Sequence, residues 1–80
     1  MKVGDVIRLK QPFCPAPKRY KVYRYAVIVD LIQPALETKA LDQVSEILVN
    51  LYDPLISEVY ADDQGVSALY VFYPNEVESV

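Results

Sequence analysis

Apolar residues alternate with period two in several separate stretches of the chain, the period of strands that bury one face. In Val6-Ile7-Arg8-Leu9-Lys10, Ile7 and Leu9 fall on one side, Arg8 and Lys10 on the other. Gly4-Asp5 just before reads as a turn. Residues 20–32 form the strongest such segment. Tyr23, Tyr25, Val27, Val29 and Leu31 share one face, and Arg24, Ala26, Ile28, Asp30 and Ile32 the other. Aromatic and β-branched residues dominate, as a pleated surface favours. Both faces are apolar in the middle, which predicts a central strand with Tyr25 on its inner face. A further strand over residues 44–52, with Ile47, Val49 and Leu51 inward, is expected to pair with residues 57–60 across a turn at 53–56. Residues 66–73 read as the last long strand. There Leu69, Val71 and Tyr73 point one way, Ala68, Tyr70 and Phe72 the other.

The breaks between these stretches have their own chemistry. Pro12, Pro15 and Pro17 lack amide donors, so residues 11–19 are a stiff, extended loop. Asp62-Asp63-Gln64-Gly65 is a tight turn in which Gly65 can take positive φ. Pro74-Asn75-Glu76-Val77 reads as a single helical turn, after which Val77 and Val80 return to the core. Residues 35–52 carry a second periodicity, because Leu36, Ala40, Leu41, Val44, Ile47, Leu48 and Leu51 also recur at helical spacing. The reading adopted is a short connection over 35–42 followed by a strand. The alternative is an α+β fold with one helix over residues 35–51.

Eighty residues make one domain, 1–80, and 52% hydrophobic residues supply a core without a disulfide or metal. About five short strands cannot leave two bare edges, so closure into a small, mostly β barrel is expected. The opening Val3-Gly4-Asp5-Val6-Ile7-Arg8-Leu9 resembles the first strand of small SH3-like barrels. Tyr25-Ala26-Val27-Ile28-Val29 resembles their second strand. The closing Phe72-Tyr73-Pro74-Asn75-Glu76-Val77-Glu78-Ser79-Val80 is similar to their final strand, one-turn helix and short last strand. The resemblance implies a binding module, since such barrels serve as peptide-binding domains, nucleic-acid-binding domains and accessory subunits, some of which help dock electron carriers. Fold alone does not choose among these uses.

Composition narrows the chemistry. Histidine is absent and Cys14 is the sole cysteine. Imidazole metal sites, paired thiolates and His-based triads are therefore excluded. Two glycines leave no Gly-rich phosphate loop. Cys14 is expected to be a small apolar filler under the loop, and Asp62-Asp63 a solvated turn. No enzyme activity and no cofactor are expected. No apolar run approaches a membrane span, and the first residues lack the apolar stretch of a signal peptide, so a cytoplasmic location is expected.

Charge is divided unevenly along the chain. Residues 1–24 hold seven cations and one acid, a charge of +6; the remainder holds one cation and ten acids, −9. Interleaved with the cations lie tyrosines. Lys10, Lys18, Arg19, Tyr20, Lys21, Tyr23 and Arg24 are thus the candidate partner-binding residues. The function expected is a non-catalytic protein-interaction module or accessory subunit, docking an acidic protein partner through this basic Pro/Tyr-rich segment. The alternative is a single-stranded nucleic-acid binder using Lys18, Arg19, Tyr20, Lys21 and Arg24, for which the acidic remainder is a cost. A monomer is expected, associating weakly as salt is lowered. A symmetric dimer would avoid the basic segment and use an apolar strand edge around Tyr70 and Phe72.

Overall fold

The computed structural model describes residues 2–15, 21–33, 44–62 and 64–80. Among these the chain is mostly β, with six strands in one antiparallel sheet: β1 (Val6–Phe13), β2 (Tyr23–Ile32), β3 (Glu46–Asp53), β4 (Glu58–Val59), β5 (Tyr70–Phe72) and β6 (Val77–Ser79). A 3-10 turn, Pro74–Glu76, lies between β5 and β6. The strands run in the order β4-β3-β2-β1-β6, and β5 also pairs with β3. β5 and β6 therefore lie at opposite ends of the sheet, yet only residues 73–76 separate them. Five Cα steps span roughly 18 Å at most, so this link draws the two ends together and the sheet curls on itself.

The core follows from that curl. Ile7 and Leu9 of β1, Ala26 and Ile28 of β2, Ile47, Val49 and Leu51 of β3, Phe72 of β5 and Val77 of β6 are all buried, with Tyr23. Alternation in β1 and β3 places the expected residues inward. Phe13 adds an aromatic corner, its ring edge-on to Tyr70 at 5.1 Å and to Phe72 at 5.7 Å. Gly4 at φ +92° turns the chain ahead of β1, and its amide donates to the Ile28 carbonyl at 2.8 Å. The Asp62 turn also forms: Oδ1 accepts the amides of Gln64 and Val66, and Gly65 takes φ +79°. Asp63 lies outside the described residues.

Several expectations need correction. β2 does not keep one face. Tyr23 is buried, but so are Ala26 and Ile28, and Tyr25 is half-buried on the outer face. The cause is a register shift: Arg8 stands opposite Tyr25, whereas Phe13 stands opposite Tyr23. Four residues of β1 (9–12) thus face one of β2 (24). A second irregularity between Ile28 and Asp30 brings Leu31 back against the core. β5 covers only Tyr70–Phe72 rather than 66–73, and Val80 is exposed while Val77 is buried. Phe72 is buried, and β5 pairs with β3 alone, so β5 is an edge strand of the sheet among the described residues. Cys14 is exposed, because Phe13 takes the inward place beside it. Residues 46–51 are strand, which excludes a helix running to 51; residues 34–43 lie outside the described residues.

Candidate functional site

The three-residue excess in β1 shapes the outer face where the cations lie. Lys10, Gln11 and Pro12 fall in the shifted stretch and are exposed. Proline has no ladder donor to lose at such an irregularity. Register then sets a row across the outer face: Glu78 of β6 opposite Arg8, Arg8 opposite Tyr25, Tyr25 opposite Tyr52, Tyr52 opposite Val59.

Two ion pairs organise this surface. The Arg8 guanidinium donates from Nε and Nη2 to Glu78 Oε2. That contact holds the Glu78 carboxyl below the usual range and raises Arg8, the hydrogen bond acting first and charge second. Lys21 Nζ lies 2.8 Å from Asp53 Oδ2, which lowers the Asp53 carboxyl; the Leu55 amide adds to the effect by donating to Oδ1 at 3.0 Å. Both pairs join the basic first part of the chain to the acidic remainder, so two cations of the basic segment are neutralised within the molecule. Lys10 and Arg24 are exposed and have no ion-pair partner among the described residues.

Three shallow concavities meet at those two cations. A central one of about 390 Å³ is lined by Arg8, Leu9, Lys10, Pro12, Arg24 and Glu78. Arg24 also borders a second, of about 210 Å³, whose walls include Val22, Tyr25, Tyr52, Pro54 and Leu55. Lys10 and Pro12 also border a third, of about 310 Å³, with Phe13, Phe72, Asn75 and Glu76. Leu55 is 92% exposed, the most exposed large apolar side chain among the described residues. Cations beside exposed tyrosine and leucine are a combination that can engage a ligand by charge and apolar contact, and Tyr and Arg are enriched at protein-docking surfaces.

Of the residues expected from the sequence, Lys10 and Arg24 come together on this face. Lys21 is held by Asp53 and sits over the Tyr23 ring, 5.2 Å from its centre. Tyr23 is a core residue, its ring edge-on to Tyr60 at 5.6 Å, and offers a partner little surface. Lys18, Arg19 and Tyr20 lie outside the described residues. Arg8, Tyr25, Tyr52 and Leu55 were not expected at a site. A leucine beside Asp53-Pro54 in a turn was the one available signal, since turns seldom need a large apolar side chain.

Among the described residues no three His, Cys, Asp or Glu side chains gather as a metal-binding group, and no helix is long and apolar enough to cross a membrane. No family model matches the chain, and no solved structure matches it.

Proposed function

We propose that this chain is a non-catalytic protein-interaction module of the small SH3-like barrel kind, an accessory or adaptor subunit that docks an acidic partner on the outer face of β1 and β2. The observation that carries the reading is that Lys10 and Arg24, without an ion-pair partner among the described residues, share one concavity between two others that carry apolar side chains. Closure of the sheet through the 3-10 turn supports the barrel assignment. Exposed cations attract an acidic surface over a distance set by screening, and the apolar walls supply area that does not depend on salt.

Fluorescence anisotropy with a labelled polyglutamate peptide tests this at about 10 mM and about 150 mM salt. Binding at the lower salt, weakening at the higher and at least tenfold weaker in Lys10→Glu/Arg24→Glu, is expected. Both positions are exposed, so circular dichroism of the double variant should match the parent. Absence of binding at low salt, or binding untouched by the charge reversal, removes the reading.

A single-stranded nucleic-acid binder is the second reading. It is supported by Tyr25 beside Tyr52 on the face that carries Arg8 and Arg24, since tyrosine beside arginine can stack bases. A short thymidine oligomer in the same titration separates the two: tighter binding of the oligomer than of polyglutamate favours this reading.

A further inference from the structure

Resting on the acidic-partner reading, we propose that the ligand is a short extended segment with acidic residues at its centre and a large apolar side chain on each flank. The three concavities share lining residues, so they form one track: the Tyr25–Tyr52–Leu55 lobe, the Arg24–Arg8–Lys10 centre, and the Phe13–Phe72 lobe. Charge along the track is patterned. The centre holds three cations against Glu78 alone, a net of +2. In the first lobe Arg24 stands beside Asp53. In the far lobe Lys10 stands beside Glu76, whose Oε1 accepts the Tyr73 amide at 2.8 Å. With Lys10 and Arg24 counted in the centre, the first lobe adds only Asp53, which Lys21 neutralises, and the far lobe adds Glu76. Neither flank therefore adds positive charge, while Tyr25, Tyr52 and Leu55 on one side and Phe13 and Phe72 on the other offer apolar contact. Only the centre has positive charge to spare. A uniformly acidic surface would meet Glu76 at one end and no spare cation at the other; a segment with acids confined to its middle meets the central cations alone. Like charges facing each other penalise the wrong partner, and opposite charges favour the right one.

The test uses the full chain and four labelled peptides: a Glu-Asp pair flanked on both sides by phenylalanine, the same pair with one flank, the pair with serine flanks, and phenylalanine flanks around Gln-Asn. Each phenylalanine is expected to tighten binding about tenfold, a ratio equal to about 1.4 kcal/mol. The Gln-Asn peptide should bind at least tenfold more weakly than its acidic counterpart. Leu55→Ser should remove the gain of one flank only and leave the serine-flanked peptide unaffected; its exposed position keeps the fold out of the comparison. If the serine-flanked peptide binds as tightly as the doubly flanked one, the motif is wrong while acidic docking stands. If the Gln-Asn peptide binds as tightly as the acidic one, acidic docking itself falls. If no peptide binds while polyglutamate does, the flanking lobes are not subsites.

Discussion

Lys21 Nζ is 2.8 Å from the Asp53 carboxylate and lies over the Tyr23 ring, tying the segment just before β2 to the end of β3. The Lys21 side chain is exposed and that of Asp53 partly so, so water still screens the pair and its contribution is modest. Its pH dependence is nevertheless defined. Asp53 and Glu78 both have carboxyls lowered by their cation partners. A lowered carboxyl binds fewer protons in the folded chain than in the unfolded one. Its contribution is complete above the unfolded value and is lost as pH falls through the folded value. Stability should therefore fall as pH drops below about 4. Asp53→Asn should be less stable at neutral pH and should show a shallower acid decline. Urea melts between neutral pH and strong acid measure both; an acid limb unchanged by Asp53→Asn would show that this pair does not contribute to it.

Neighbouring residues of β3 should respond in opposite directions to substitution. Leu51 is fully buried in the core, whereas Asn50 faces outward with its Oδ1 buried and without a hydrogen-bond partner among the described residues. Leu51→Ala should cost about 2–5 kcal/mol, the lost transfer energy plus the cavity. That is a large share of the ~5–15 kcal/mol available to a small domain. Asn50→Val should raise the urea midpoint, because an unsatisfied buried acceptor costs about 1–3 kcal/mol and valine suits a strand facing Val27.

That contrast also shows where the sequence is legible. β1 as far as Lys10 and β3 alternate cleanly, so Ile7, Leu9, Ile47, Val49 and Leu51 could be placed inward by period alone. β2 is apolar on both faces, so period could not choose a face. The choice was made by pairing: the shifted register opposite residues 9–12 and the irregularity at Val29 turned Ala26 and Ile28 inward and Tyr25 outward. The site was only partly legible for the same reason. Lys10 and Arg24 could be picked out as cations, but which cations would be neutralised depended on Glu78 and Asp53, far along the chain. Long-range register decides that, and local pattern does not contain it.

Gly65 isolates a backbone term. It sits at φ +79°, and a Cβ built there meets no heavy atom within 4 Å. Gly65→Ala should therefore destabilise by about 1–2 kcal/mol through left-handed strain alone. Ser57, in the β3–β4 turn, pays a similar strain at φ +53°. Ser57→Asn should be neutral or slightly stabilising, since asparagine tolerates this conformation. Paired thermal melts of the two variants compare them directly, and a neutral Gly65→Ala would refute the strain assignment.

The last prediction concerns the open part of β2. Pairing with β1 and the turn before it reaches only as far as Ile28 among the described residues. Beyond that point β2 pairs with β3 alone. The Ile32 carbonyl accepts from Ser45, so Ile32 addresses β3 and the Leu31 amide addresses the other, unpaired side. That amide donates instead to Asp30 Oδ1 at 2.8 Å. One carboxylate thus blocks an edge donor and adds a charge beside it, two devices that keep strand edges from joining. Asp30→Ala removes both and leaves Val29 and Ile32, each partly exposed, beside a free donor. The variant should self-associate through this edge, and the association should persist at about 150 mM salt, where exposed charges are screened beyond about 8 Å. The parent chain should behave in the opposite sense, associating only as salt is lowered, because its cations and acids attract across molecules when screening weakens. Sedimentation of both proteins over a salt series separates hydrogen-bonded edge pairing from charge attraction. An Asp30→Ala variant that sediments like the parent at every salt concentration would show that the carboxylate does not guard the edge.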